Sequence, residues 1–170
     1  MDRIRSEQKV SICDIKDIQL VNGTETQRLN GNCLCGAVRV AATPVRAAIA
    51  ACHCNMCRQW TSSMLMTVPV EAGSLEVSGP VKSFTSSEWA ERAFCEECGS
   101  PLWYRLTGGH GDDMQMQLSA GLFDGAAGFD LKLEMFIDRK PGGYTFEGTR
   151  RLLTEAEAIA AFAPSQEDDA

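Results

Sequence analysis

Basic residues are scarce and scattered in this chain of 170 residues. Lysine and arginine together number 16, against 23 aspartates and glutamates, so the formal net charge is −7 at pH 7. A protein that coats nucleic acid needs a clustered basic face to neutralise phosphates, and the nearest approach here is Arg150-Arg151. The charge pattern therefore argues against a nucleic-acid partner.

Long apolar runs are also missing. No stretch approaches the roughly 20 apolar residues of a membrane-spanning helix, and residues 1–30 lack the apolar run of a secretory signal. We therefore expect a cytoplasmic protein with no membrane partner, in which thiols stay reduced. Eight cysteines in that compartment are better explained as metal ligands than as disulfides.

Short patterns with a period of two residues recur from about residue 31 onward. Because glycine and proline separate them, they predict a mainly β protein of short antiparallel strands. The patterns are AVRV (37–40), MLMTVPV (64–70), SLEVSGPVKSF (74–84), MQMQL (114–118) and LKLEMFI (131–137).

The length predicts one domain with extensions at both ends. We assign residues 1–28 to a polar extension that is partly ordered or disordered, and residues 29–153 to the β domain. Thr154 and Glu157 form a capping-box pattern, which predicts a short helix within the last segment, 154–170. The acidic end of that segment has the composition of a disordered tail.

Seven of the eight cysteines fall into three clusters, and Cys13 stands apart as an ordinary thiol. The clusters are Cys33-x-Cys35, Cys52-x-Cys54-x-x-Cys57 and Cys95-x-x-Cys98. The last is followed by Gly99, which tolerates the left-handed backbone that closes such a turn. A C-x-x-C-G turn supplies only two sulfurs to a metal ion, so two more must come from elsewhere.

Adding the first pair to the last gives a closed site of four thiolates, typical of structural zinc. The central cluster then forms a second site with three thiolates, and three protein ligands with one open position are typical of catalytic zinc. Two zinc ions per chain follow from this division. Two alternatives remain open: His53 closes the second site as a fourth ligand, or Cys54 and Cys57 form a redox dithiol without a stable metal.

The motifs in these clusters resemble those of the glutathione-dependent formaldehyde-activating enzyme family, which includes centromere protein V. The resemblance is carried by GNCLCGAVRV (31–40), CHCNMCRQW (52–60) and FCEECGSPLWYR (94–105). AGLFD (120–124) and EMFIDRKPGGYTFEG (134–148) are similar to the family's later half. Centromere protein V carries a basic extension with no counterpart here, which argues against a chromatin role.

The resemblance implies a β-tent (Mss-four-like) fold bound to zinc, with a structural ion at Cys33, Cys35, Cys95 and Cys98. It implies a catalytic ion at Cys52, Cys54 and Cys57. The implied activity is that of a carbon–sulfur lyase, which joins glutathione and formaldehyde into S-hydroxymethylglutathione or separates them. One departure concerns residues 60–63, Trp-Thr-Ser-Ser, because family members commonly have a glycine in this stretch.

An anionic thiol such as glutathione needs cations beside the second site, because the chain is acidic. Arg58 is the first candidate because it follows the last ligand, and Arg92 and Arg105 come next. His53 is a candidate proton shuttle or a hydrogen-bonded structural histidine, and Trp60 is a pocket or core residue. The alternative function is a zinc-stabilised module that binds a thiol or docks a protein without catalysis.

Overall fold

The computed structural model describes residues 27–71, 73–107 and 116–162. Cys13, the acidic tail and the predicted extension before residue 27 lie outside these residues. Within the described ranges, no helix is both long enough and apolar enough to span a bilayer.

Strands form most of the regular structure in the described part of the chain. They are β1 (Leu29–Asn32), β2 (Arg39–Ala42), β3 (Ala48–Cys52), β4 (Leu65–Val70), β5 (Glu76–Ser78), β6 (Val81–Ser87), β7 (Ala90–Cys95), β8 (Pro101–Leu106), β9 (Met116–Ser119), β10 (Asp130–Met135) and β11 (Arg151–Leu153). Two α-helices accompany them, α1 (Asn55–Thr61) and α2 (Glu155–Phe162). Short 3-10 helices cover Ala120–Leu122, Asp124–Gly128 and Ile137–Arg139. The mainly β, β-tent type of fold with a short C-terminal helix is therefore confirmed.

The strands of the described residues form two sheets that share one core. The small sheet has the order β1-β2-β5, and the large sheet has the order β11-β10-β3-β4-β9-β8-β7-β6. Val40 of the small sheet and Val38, just before β2, pack with Val68, Leu102 and Leu118 of the large sheet. Burial of such apolar side chains contributes roughly 1.5–3 kcal/mol each, so this shared core holds the two sheets against each other.

The expectation of antiparallel strands holds for most of the sheet and is wrong at one place. β10 pairs in parallel with both β3 and β11, which makes β10 an interior strand. Strand β3 was not predicted, because its sequence AIAAC is almost continuously apolar rather than alternating. Strands covered on both faces commonly have such continuously apolar sequences, so they lack the alternation that predicts a half-buried strand.

In the C-terminal half, local features of the chain set where strand β10 ends and where helix α2 begins. The predicted strand LKLEMFI stops at Met135, because Phe136 has a left-handed backbone with φ 59° that turns the chain. The capping box is confirmed: Oγ1 of Thr154 accepts from the Glu157 amide at 3.3 Å, and the Glu157 carboxylate accepts from the Thr154 amide at 2.7 Å. Helix α2 begins there, as the pattern predicted.

Helix α1 was not predicted, and it places the central cysteines. Cys54 is its N-cap, with a sulfur that accepts a hydrogen bond from the amide of Cys57 at 3.4 Å. The helix ends at Ser62, which has a left-handed backbone with φ 62°. Glycine normally fills such a C-terminal position, because its lack of a Cβ removes the steric cost. Ser62 lies in the stretch where family members commonly have a glycine.

We predict that Ser62→Gly stabilises the protein. The left-handed backbone costs a residue with a Cβ about 1–2 kcal/mol, while glycine adds roughly 0.4–1 kcal/mol of unfolded-state entropy. The net gain should be about 0.5–1 kcal/mol, a rise in melting temperature of about 1–4 °C by calorimetry. Ser63→Gly is the matched control, and it should lower the melting temperature. Equal behaviour of the two variants would contradict the assignment of strain to Ser62.

Candidate functional site

Four cysteines from two connections meet in a first cluster. Cys33 and Cys35 lie in the connection between β1 and β2, and Cys95 and Cys98 lie where β7 turns towards β8. All four sulfurs are within 4.8 Å of one another. Gly36 and Gly99 follow these pairs with φ of 76° and 74°. The two left-handed glycines close the turns, as the C-x-x-C-G pattern predicted.

The geometry of the first cluster fits a tetrahedral metal ion. Zinc–sulfur bonds of about 2.3 Å in a regular tetrahedron place neighbouring sulfurs about 3.8 Å apart. The Cys33 and Cys35 sulfurs are 3.5 Å apart, and those of Cys35 and Cys95 are 3.8 Å apart. The Ser100 hydroxyl, 3.2 Å from the Cys98 sulfur, lowers the pKa of Cys98 to about 5. Soft thiolate donors of this number and spacing could hold zinc.

Three further cysteines form a second cluster, also with all sulfurs within 4.8 Å. Cys52 ends strand β3, Cys54 caps helix α1, and Cys57 lies in its first turn. Hydrogen bonds with Cys52 and Cys57 lower the pKa of Cys54 to about 2, and the bond with Cys54 raises the pKa of Cys52. Deprotonation of all three neighbouring thiols requires a cation such as a metal ion, because three thiolates so close together repel one another.

Within the described residues, the second cluster has three sulfurs and no fourth ligand atom. Among the described residues, no other His, Cys, Asp or Glu ligand atom joins it within the same 4.8 Å. His53 is fully buried with its Nε2 2.8 Å from a carboxylate oxygen of Glu134. Its Nδ1 lies 3.1 Å from the Tyr144 hydroxyl. Since both ring nitrogens are engaged elsewhere, closure of the second site by His53 is wrong for this structure.

Glu134 is the centre of a buried network behind the second cluster. The carboxylate is inaccessible to solvent and accepts hydrogen bonds from His53, from Nε of Arg150 and from Nζ of Lys140, the last at 3.0 Å. Burial alone would raise the pKa of Glu134, but these three bonds hold it below its ordinary value. Burial also lowers the pKa of His53, so the neutral ring donates from Nε2 and accepts from Tyr144. The network anchors the chain segment between Cys52 and Cys54.

Arg92 lies against the second cluster, although sequence reasoning placed it behind Arg58. Its side chain is only 3% exposed, and its Nη2 donates to the sulfur of Cys57 at 3.5 Å. The guanidinium lies 5.1 Å from the ring centre of Tyr104 and 5.9 Å from that of Trp60. Arg92 and Tyr104 are direct cross-strand partners on β7 and β8. Trp60 therefore borders the site and also packs edge-on against Phe94.

The other two candidate arginines lie differently. Arg58 donates from Nε to the carbonyl oxygen of His53 at 3.0 Å. It also lines a pocket of about 250 Å³ between α1 and the segment that carries Tyr144, together with Asn55, Gln59, Ser62, Ser63 and Pro141. Arg105 pairs with Glu91 at 3.0 Å on the exposed face of β7 and β8. The structure thus separates Arg105 from the site and gives Arg58 a place in a neighbouring pocket.

Sequence reasoning missed Glu134 and Tyr144 and ranked Arg92 too low. Glu134 occupies a polar position of an alternating strand, which predicts exposure. In the structure the side chains of His53, Lys140 and Arg150 contact its carboxylate, which is fully buried. A signal for Arg92 was present: it lies three residues before Cys95, on the strand that the first cluster anchors. Which side chain it meets depends on α1, and no local pattern gives that contact.

Two sulfur clusters on a mainly β framework define a protein with two sites able to hold a thiolate-bound metal. The sequence model of the family described as glutathione-dependent formaldehyde-activating enzyme matches residues 28–139. The chain belongs to this family.

The chain is also similar to a curated relative and to a solved structure. An uncharacterized lyase of Schizosaccharomyces pombe (strain 972) is 32% identical over 130 residues, which are 76% of this chain and 93% of that protein. A crystal structure of a Rhodobacter sphaeroides protein is similar at 18% identity and a TM-score of 0.48. It covers 57% of this chain and 89% of that one, and at this TM-score we base no argument on it.

We predict that Glu134→Gln lowers the free energy of unfolding by about 3–5 kcal/mol, since it leaves Lys140 and Arg150 without their buried counter-charge. Glu91→Gln makes the same chemical change in an exposed pair and should cost less than about 1 kcal/mol. Urea titration at one fixed zinc concentration measures both. Similar losses in the two variants would contradict the role given to the Glu134 network.

Proposed function

We propose that this protein is a zinc-dependent carbon–sulfur lyase. Its substrates would be a small thiol such as glutathione and an aldehyde such as formaldehyde, joined into or released from S-hydroxymethylglutathione. The observation that carries the proposal is the second cluster: three sulfurs, no fourth protein ligand among the described residues, and His53 held away by Glu134. Family membership and the lyase name of the yeast relative support the reaction class.

Cys33, Cys35, Cys95 and Cys98 would hold a structural zinc ion, and Cys52, Cys54 and Cys57 would hold a second one. Zinc held by these three thiolates would have one position left for a substrate thiol and would favour the deprotonated form of that thiol. Three thiolates and one dication leave a net charge of about −1, so a further anion needs a nearby cation. Arg92, buried beside Cys57, supplies that charge.

Two further residues, Arg58 and His53, would position the substrates and the cysteines of the second cluster. The substrate sulfur attacks the aldehyde carbon, and the reverse step breaks the same carbon–sulfur bond. Arg58 lines the neighbouring 250 Å³ pocket and could bind the carboxylates of a peptide-like thiol. His53, buried between two ligands, acts as a positioning residue whose bonds to Glu134 and Tyr144 orient Cys52 and Cys54.

The test is a titration of cobalt-substituted protein with glutathione. Thiolate-to-cobalt charge transfer grows with each sulfur bound, so we expect the band to rise as glutathione adds. A free thiol has a pKa of about 8.5, so binding as the thiolate at neutral pH should release about one proton per site. S-methylglutathione, which cannot become a thiolate, is the matched control and should do neither.

Two results would overturn parts of this proposal. A spectrum that ignores glutathione would show that the fourth position does not accept a thiol. Glutathione could bind without the hydroxymethyl adduct forming faster than in buffer. The protein would then be either a thiol-binding module, which is the alternative function, or an enzyme for a different aldehyde.

We predict that the two clusters respond differently to loss of one sulfur. Cys98→Ser removes a ligand from the cluster that joins the two sheets and should impair folding or solubility. Cys57→Ser should keep the circular dichroism spectrum, retain about one zinc ion per chain and lose activity. Elemental analysis and thermal melting measure these effects. If Cys57→Ser unfolds the protein as badly as Cys98→Ser, the second site is structural.

A further inference from the structure

Arg92 has a hydrogen-bonding nitrogen that the fold leaves unused. Nη2 contacts the Cys57 sulfur, but Nη1 is buried and has no hydrogen-bond partner within the described part of the chain. A buried donor without a partner costs roughly 1–3 kcal/mol, and more when the group is charged. Such a group in a native protein points to a ligand that completes its hydrogen bonds.

No acidic side chain of the described residues pairs with Arg92. The neighbouring Glu91 points to the opposite face of β7, where Arg105 binds it. Glu134 already has three partners of its own. The groups that face the guanidinium are the Tyr104 and Trp60 rings and the Cys57 sulfur. The guanidinium that carries the free nitrogen is thus flanked by two aromatic rings and by a sulfur of the second cluster.

Resting on the proposed function, we propose that Nη1 of Arg92 donates a hydrogen bond to the substrate oxygen attached to the reacting carbon. In the aldehyde this atom is the carbonyl oxygen, and in the thiol adduct it is the hydroxyl oxygen. The rigid fork of a guanidinium keeps its two terminal nitrogens side by side. One therefore contacts the sulfur shell while the other reaches an oxygen bonded to the same carbon as the substrate sulfur.

This contact stabilises the charge that develops in carbon–sulfur bond formation. As the sulfur–carbon bond forms, the π pair of the carbonyl moves onto the oxygen, which becomes negative. Arg92 only donates the hydrogen bond and transfers no proton in this step. The proton that the thiol released returns to the oxygen through solvent, and nothing is oxidised or reduced. Fixed donors aimed at a developing oxyanion contribute substantially to catalysis.

The experiment compares two small thiols that differ by one oxygen. Cobalt-substituted protein is titrated with ethanethiol and with thioacetate, whose oxygen is bonded to the same carbon as its sulfur, and the ratio of their dissociation constants is recorded. The ratio in each variant is divided by the wild-type ratio, so the different acidities of the two thiols cancel. The variants are Arg92→Met, which removes the donors, and Arg92→Lys, which keeps the charge but loses the fork. Arg105→Met is the matched control on the exposed face.

We expect both Arg92 variants to lose the preference for the oxygen-bearing thiol by about 10-fold, as loss of a charge-assisted hydrogen bond predicts. Arg105→Met should keep the wild-type ratio. A ratio unchanged in Arg92→Met would show that Arg92 serves only the sulfurs. A ratio fully kept in Arg92→Lys would show that charge alone acts. Either result overturns the inference.

Failure of the proposed function gives a different pattern. If ethanethiol does not bind the wild-type protein, the thiol position itself is refuted and this inference fails with it. If ethanethiol binds but the ratios do not change, only the Arg92 contact is refuted. Should both Arg92 variants misfold, a crystal structure of wild-type cobalt protein with thioacetate decides. We expect its oxygen within about 3.2 Å of Nη1, and an oxygen bonded elsewhere overturns the inference.

Discussion

The convergence of four sulfurs from Cys33, Cys35, Cys95 and Cys98 is the constraint on which the rest of the structure depends. One pair belongs to a connection in the small sheet, and the other ends strand β7 of the large sheet. The cluster therefore fixes how the two sheets meet around their shared core. It also fixes the end of β7, and with it the position of Arg92, three residues earlier on the same strand. The first cluster thus helps to locate a residue that contacts the second cluster.

Helix α1 is the second element that positions the candidate site, because it places Cys57 and Trp60 beside Arg92. Its first turn presents Cys57, and Trp60 follows three residues later on the same face. That face packs over β7, where Arg92 lies between Phe84 of β6 and Tyr104 of β8 in one cross-strand row. Seven helical residues would be marginal alone, because nucleation is costly. Packing of Trp60 against Phe84 and Phe94 supplies the stabilisation that helix propensity alone does not.

The buried carboxylate of Glu134 explains why a histidine between two ligands is not itself a ligand. His53 follows the last residue of β3, and the parallel neighbour β10 brings Glu134 beside it. Lys140 and Arg150 neutralise that carboxylate, so the network is satisfied without any group from the sulfur cluster. The two charge systems are therefore separate: one contacts His53, between Cys52 and Cys54, and the other is Arg92, which contacts the sulfur of Cys57.

The sequence alone determined the division of seven cysteines into two clusters, the family and the capping box of α2. These are local: a C-x-x-C-G turn or a Thr-x-x-Glu cap is complete within a few residues, and thiols in this pattern have few other uses. It did not determine the parallel pairing of β10, the burial of Glu134 or the contact between Arg92 and Cys57. These depend on which strands become neighbours and on where α1 lies. Only the tertiary structure decides them. Glu134 is an ordinary polar residue of an alternating strand, and it becomes a fixed charge only where other elements bury it and pair with it.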